Sequence, residues 1–128
     1  MKANELRIGN WVSFYHSISG ETFNEQIWPE WFISDADQND SSPIPLTPEI
    51  FVLNGFGEDN NGHFLLDLQT HYLEIIPMKD GFYPMYGQKR ETSGDNDNLV
   101  TLNRIDYVHQ LQNLYFVLTG EELNIDLC

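Results

Sequence analysis

Hydrophobic and polar residues alternate with a period of two near the start of the chain, which predicts a half-buried β-strand. The hydrophobic residues on even positions are Leu6, Ile8, Val12, Phe14 and Ile18. A second hydrophobic run covers residues 26–33 and contains Pro29. Because proline cannot donate a hydrogen bond to a neighbouring strand, we expect this run to be an edge strand or a bulged strand.

The centre of the chain predicts a short helix near residues 48–54. Thr47 is a favourable N-cap, Pro48 suits the first helical position, and Gly55 can end the helix. The polar segment near 34–42, which precedes this helix, is predicted to be a mobile loop.

Residues 63–78 and 82–86 have the composition of further strands. Asp80-Gly81 between them is the strongest hairpin signal in the sequence, so the two segments are expected to pair antiparallel. The polar segment near 87–98 is predicted to be a second mobile loop.

A long helix is predicted near residues 104–119, with Asn103 as its N-cap and Gly120 after its end. Its hydrophobic residues lie three or four positions apart, and they are Ile105, Val108, Leu111, Leu114, Tyr115 and Leu118. We expect this stripe to be buried on a sheet and Gln112 and Asn113 to be exposed. The whole pattern predicts one α+β domain over residues 1–128, with an antiparallel sheet that is compatible with a small barrel.

Both ends of the chain resemble a family of small uncharacterised proteins. These proteins occur in gut-bacterial genomes, often in prophage-like or mobile-element neighbourhoods. The resemblance lies in the C-terminal run YVHQLQNLYFVLTGEEL at 107–123 and the opening MKANELRIGN, with a similar central IPLT at 44–47. It implies an accessory protein of such an element and no assigned activity.

Charge and cysteine content narrow the classes of function. The chain has 20 acidic and 6 basic residues and a formal net charge of −14. Such a surface repels phosphate backbones and anionic lipid, so we expect no direct nucleic-acid binding and no membrane association. Cys128 is the only cysteine, which excludes an intramolecular disulfide and a cysteine-based metal site. The opening lacks the apolar stretch of a signal peptide, so we expect a cytoplasmic protein.

Candidate chemistry is sparse. His63 and His71 flank Asp67, and on one straight strand all three would point to the same side, but a break near Thr70 would separate them. The acidic loops lack the glycine and the glutamate of a calcium loop. We find no nucleophile elbow and no phosphate-binding loop. The sequence therefore predicts no catalytic residues, no cofactor and no metal.

Six residues are candidates for contact with a partner: Trp28, Trp31, His109, Gln112, Asn113 and Phe116. In an extended strand the two tryptophans would face opposite ways, so one would join the core and the other would anchor a partner; alternatively both serve packing. The helix residues form a neutral face opposite the hydrophobic stripe. That face is either solvated or buried against another protein or a second copy of the chain.

Three functions remain open at this stage. The first is a non-enzymatic interaction or accessory module of prophage or mobile-element origin. The second is an acidic DNA mimic that inhibits a nucleic-acid-binding protein, because carboxylates can imitate phosphates. The third is an enzyme without a recognisable motif.

Overall fold

The computed structural model describes residues 5–88 and 100–127. Their contacts form two compact units. The first unit contains residues 5–46 and 107–123, and the second contains residues 47–88, 100–106 and 124–127. Both units are mixtures of helix and antiparallel sheet, which confirms the α+β class.

Eight strands and three α-helices are present in the described residues. The strands are β1 (Trp11–His16), β2 (Glu21–Gln26), β3 (Ser41–Ser42), β4 (Gly57–Glu58), β5 (Phe64–Asp67), β6 (His71–Met78), β7 (Gly81–Gln88) and β8 (Val100–Thr101). The helices are α1 (Asp35–Asn39), α2 (Pro48–Leu53) and α3 (Val108–Thr119), and a 3₁₀ helix covers Pro29–Ile33.

The first unit holds a three-stranded antiparallel sheet in the order β2-β1-β3. Helix α3 lies against β1 and buries Val108 and Leu111 completely. A hydrophobic cluster of Leu6, Val12, Ile27 and Trp31 forms beside it, with Trp28 and Phe32 packed at its edge.

The expected strand at 26–33 is wrong beyond residue 26. Pro29 stands at the first position of the 3₁₀ helix, where a backbone N–H is not needed, and Trp28 before it is extended. The turn brings Trp31 into the core, where its side chain is fully buried. Proline therefore begins a helical turn here and does not mark a strand edge.

The segment near 34–42, predicted to be a loop, instead forms α1 and β3. The Ser34 hydroxyl accepts a hydrogen bond from the Asp37 N–H at 3.2 Å and caps α1. Asp35 and Asp37 lie in the first turn, where carboxylates favour the helix dipole. Polar residues such as serine and aspartate suggested a loop, but the same residues are also favoured at the N-terminus of a capped helix.

The second unit holds a five-stranded antiparallel sheet in the order β4-β5-β6-β7-β8. Helix α2 supplies Phe51, whose ring stacks on Phe64 with centroids 5.1 Å apart and also contacts Phe56 and Phe82. Helix α2 lies within the range 48–54 of the predicted short helix, and β6 pairs antiparallel with β7. A single sheet and a barrel were wrong: within the described ranges there are two sheets, and neither one closes.

The hairpin between β6 and β7 depends on a glycine. Gly81 has a φ of 152° and pairs with Met78, so Lys79 and Asp80 form the turn. A Cβ on Gly81 would collide with the Asp106 carboxylate and with the Arg104 side chain, 2.7 Å from its Cδ. Gly87 and Gln88 continue β7 and are not a loop, and the rest of the predicted loop at 89–98 lies outside the described residues.

Helix α3 begins later than the predicted position near 104, and Asn103 is not its N-cap. Ile105 forms a β-bridge with Phe82 in the second unit, and Tyr107 forms one with Pro45 in the first. These backbone pairings keep the chain extended until Val108, while Gly120, with a φ of 75°, ends the helix as predicted. Within the predicted stripe, Leu114, Tyr115 and Leu118 are half-buried.

Truncation of Leu111 tests the contribution of α3 to stability. Leu111 is completely buried, so Leu111→Ala should lower the free energy of unfolding by about 2–5 kcal/mol. Val117 on the same helix is 79% exposed, and Val117→Ala should change it by about 0.5 kcal/mol or less. Urea denaturation of both variants measures the difference. Equal stability of Leu111→Ala and the parent protein would show that α3 is peripheral.

Candidate functional site

Gln112 lies on the helix face that was predicted to be exposed, yet its side chain is completely buried. Its Oε1 accepts a hydrogen bond from the Trp11 N–H at 2.8 Å, and its Nε2 donates to the Gly9 carbonyl at 3.2 Å. The side chain therefore satisfies the backbone where the chain enters β1, and its predicted exposure was wrong.

Asn113 extends this contact to the residues before β1. Its Oδ1 accepts hydrogen bonds from Arg7 Nε at 2.8 Å and from Asn10 Nδ2 at 2.9 Å. Its Nδ2 donates to the Glu5 carbonyl at 3.0 Å. Asn113 is half-buried, so this amide also serves contacts within the first unit.

Arg7 covers the remaining part of the same helix face. Its guanidinium lies 4.3 Å from the centre of the Phe116 ring and forms an ion pair with Glu122. Phe116 remains 38% exposed. The neutral face of α3 is thus packed against residues 5–11 of its own chain, and a partner would have to displace them.

His109 is completely buried beside this face. Its ring stacks on Tyr107 with centroids 5.8 Å apart. Neither ring nitrogen has a hydrogen-bond partner in the part of the chain that the structure describes. Burial lowers the pKa of His109 below its usual value of 6.5, against the opposing effect of the Glu5 carboxylate, so the imidazole is held neutral.

The two tryptophans are packed to different degrees. Trp31 is fully buried and its Nε1 donates a hydrogen bond to the Ser41 hydroxyl at 2.8 Å. Trp28 is half-buried and meets Phe14 edge-on, with ring centroids 5.4 Å apart. Trp31 therefore serves packing and cannot anchor a partner. Trp28 retains only part of its surface for a contact with a partner.

Strand β2 is an exposed feature that the sequence did not indicate. Five of its six residues are exposed, and among the strands of the described residues it pairs with β1 alone. The Asn10 and His16 carbonyls, at the two ends of β1, accept hydrogen bonds from residues that flank β2. The Tyr15 N–H, by contrast, donates to the Asp40 carbonyl on the side of β1 away from β2. Because bonding alternates along a strand, the backbone groups of Thr22, Asn24 and Gln26 point away from β1.

Strand β2 carries two carboxylates, Glu21 and Glu25. Residues 21–40 as a whole contain six carboxylates and no lysine or arginine: Glu21, Glu25, Glu30, Asp35, Asp37 and Asp40. Glu25 also binds His16, with His16 Nε2 2.7 Å from its Oε1. Phe23, between Glu21 and Glu25 on the same strand face, is 46% exposed.

In the second unit, the structure separates the histidine pair that the sequence suggested. Leu68 to Thr70 form a turn in which Gln69 has a φ of 74°, so the expected break is present. His71 stacks on Tyr86, and its Nδ1 lies 2.8 Å from the Thr70 hydroxyl. His63 instead lies beside Asp59 and Glu74, where the three side chains could share a cation.

Comparisons with known proteins add no identification. No protein-family model, curated protein or solved structure matches the chain. The resemblance of its two ends to the uncharacterised family therefore stays a prediction. Among the described residues, no helix is both long and apolar enough to span a membrane.

Replacement of Gln112 tests the buried amide. Gln112→Ala removes the acceptor of the Trp11 N–H, while the Gly9 carbonyl keeps its bond from Gln26 Nε2 at 3.0 Å, and an unsatisfied buried group costs about 1–3 kcal/mol. We expect the free energy of unfolding in urea to fall by at least that amount. Asn24→Ala, an amide truncation on exposed β2, should cost about 0.5 kcal/mol or less. Similar values for the two variants would contradict the role of the Gln112 amide.

The neutral state of His109 predicts a pH dependence. Its pKa is lowered in the folded state, so the unfolded chain binds more protons as the pH falls through about 6.5, and stability must decrease there. His109→Phe keeps an aromatic ring beside Tyr107 but removes the group whose protonation lowers stability at acidic pH. Urea denaturation between pH 8 and pH 5 should show a shallower decline for His109→Phe. Val117→Ala, which removes no titratable group, should retain the parent slope, and parallel curves for parent and His109→Phe would refute the assignment.

Proposed function

We propose that the chain is a non-enzymatic protein-interaction module that binds an extended, basic segment of another protein along β2. The observation that carries the proposal is the outer edge of this strand, which pairs with no other strand within residues 5–88 and 100–127. The resemblance of the two chain ends supports an accessory role in a prophage or mobile element, and such a role would be exercised in the cytoplasm.

The backbone of β2 supplies the affinity in this proposal. A strand of six residues spans about 20 Å, and the outward N–H and C=O groups of Thr22, Asn24 and Gln26 can pair with an added strand. Strand addition of this kind is a common mode of peptide recognition, in which main-chain bonds bind and alternate side chains select.

The side chains of β2 determine which segment fits. Glu21, Phe23 and Glu25 share one strand face, and cross-strand neighbours of opposite charge are favourable. A partner strand with lysine or arginine opposite the glutamates and an apolar residue near Phe23 satisfies all three. This pattern favours a basic segment over an acidic one.

A second copy of the chain is a poorer occupant. Each copy has a formal net charge of −14, so two chains repel each other before any strand can pair. Charged side chains on an edge strand are also a usual means of preventing self-pairing. The same carboxylates that discourage a second copy attract a basic partner.

The acidic DNA mimic is the alternative proposal. The absence of basic residues from positions 21–40 supports it, because a run of carboxylates can occupy a phosphate-binding surface. Mimicry needs the charges of this segment and not the backbone of β2. The two proposals therefore differ in their response to a backbone change that preserves charge.

Proline substitution in β2 distinguishes them. The Asn24 N–H points away from β1, so Asn24→Pro removes an outward donor while it leaves the β1–β2 ladder intact. A loss of one to two main-chain bonds corresponds to about tenfold weaker binding. The probes are extended peptides that alternate lysine with valine, and fluorescence anisotropy measures their affinity.

Matched variants complete this experiment. Glu21→Gln should weaken peptide binding without a backbone change, and hydrogen exchange should show protection of the Asn24 and Gln26 amides in the complex. Far-UV circular dichroism and urea denaturation check that Asn24→Pro is folded. Equal affinity of Asn24→Pro and the parent, with binding that salt abolishes, would favour mimicry; no binding of any basic peptide would refute strand addition.

A further inference from the structure

Three side chains that the sequence does not connect converge in the second unit: Asp59 and His63 from the loop between β4 and β5, and Glu74 from β6. His63 Nδ1 lies 2.9 Å from Glu74 Oε1 and 3.9 Å from Asp59 Oδ2. One ligand atom from each residue lies within 4.8 Å of the others. This mixed set of one imidazole nitrogen and two carboxylates has the composition of a metal site.

The loop holds Asp59 in a fixed position. Asp59 Oδ1 accepts hydrogen bonds from the N–H groups of Asn61 and His63, both at 2.9 Å. With Oδ1 bound to the backbone, Oδ2 is directed toward the His63 ring.

The sheet register places Glu74 opposite. Leu65, which lies two residues after His63, pairs in β5 with Glu74 of β6. The Glu74 side chain is only 12% exposed and the His63 side chain 28% exposed. Glu74 Oε1 lies 2.9 Å from His63 Nδ1, so a partly desolvated carboxylate faces the imidazole ring.

The His63 ring reaches only one of the two carboxylates. Its Nδ1 lies 2.9 Å from Glu74 Oε1, within hydrogen-bonding distance, but 3.9 Å from Asp59 Oδ2. A cation among the three atoms would bind the nitrogen lone pair and neutralise both carboxylates together.

The spacing agrees with a small transition-metal ion. Zn²⁺ binds nitrogen and carboxylate oxygen at about 2.0–2.2 Å, which places tetrahedral ligands about 3.3–3.5 Å apart. The two distances from His63 Nδ1, 2.9 and 3.9 Å, bracket this value. Small side-chain rotations therefore suffice, and three protein ligands leave a fourth position for water or for a ligand atom from a partner.

We propose that Asp59, His63 and Glu74 bind one divalent first-row transition-metal ion, with Zn²⁺ as the preferred ion. Imidazole suits Zn²⁺, whereas Mg²⁺ and Ca²⁺ take oxygen ligands and demand more of them. The ion would tie the β4–β5 loop to β6. The site is separate from the residues of the proposed β2 interaction and does not depend on it.

Zinc titration tests the site directly. The protein is prepared with Cys128→Ser so that the thiol contributes no ligand, and Zn²⁺ is added in competition with a chromophoric chelator. We expect one equivalent to bind and to raise the melting temperature, since binding to the folded state alone stabilises it. Glu74→Gln and Asp59→Asn keep the side-chain shape, and each should weaken binding by about 100-fold or more, because even loss of an outer-shell partner costs about 10- to 100-fold.

Two histidine variants serve as controls. His71→Gln removes a ring that bonds to Thr70, and His16→Gln removes one that pairs with a single carboxylate, Glu25. Both should retain the parent affinity, whereas His63→Gln should lose it. Circular dichroism confirms that each variant is folded. Absence of saturable Zn²⁺ binding, equal loss in the control variants, or preference for Mg²⁺ over Zn²⁺ would each overturn the proposal.

Discussion

The buried amide of Gln112 is the interaction on which the first unit depends. It bonds the Trp11 N–H and the Gly9 carbonyl, joining residues 101 and 103 positions apart. Both backbone groups belong to the entry of β1, and a hydrophobic side chain on α3 could satisfy neither. Because an amide bonds only in a defined direction, the pair fixes the rotation of α3 as well as its position. Hydrophobic burial of Val108 and Leu111 stabilises the helix, while the hydrogen bonds of Gln112 determine its orientation.

The two units obtain a specific core in different ways. The buried polar residues of the described chain are Asn10, Ser41, His109 and Gln112, and all four lie in the first unit. The second unit relies on aromatic contacts, with Phe51 against three other phenylalanines. All four buried polar groups are uncharged when His109 is neutral. No Asp, Glu, Lys or Arg of the described chain is fully buried, so most carboxylates of this acidic chain avoid the cost of desolvation, and the partly buried Glu74 bonds to His63.

Periodicity predicted β1 and most of α3, which each bury one hydrophobic face, and the terminal residues Thr47, Pro48 and Gly55 predicted α2. Periodicity failed where polar residues are buried, because the pattern of residue types along the chain does not show which backbone groups a glutamine side chain will bond. Gln112 was placed on an exposed face for this reason. It also failed at β2, where no strand was predicted, since a strand exposed on both faces has no hydrophobic alternation. Pro29 misled the assignment of residues 26–33 because proline suits both a strand edge and a helix start.

The candidate metal ligands show a further limit of linear spacing. His63 and His71 looked like partners because both lie near Asp67 in sequence, but contact across a sheet is determined by register. Pairing of Leu65 with Glu74 brings Glu74 of β6 beside the end of the β4–β5 loop, where His63 lies. The turn at Leu68–Thr70 fixes that pairing. A shift of one residue would direct Glu74 to the opposite face of the sheet. The turn that separates His71 from His63 therefore also brings His63 to the Glu74 carboxylate.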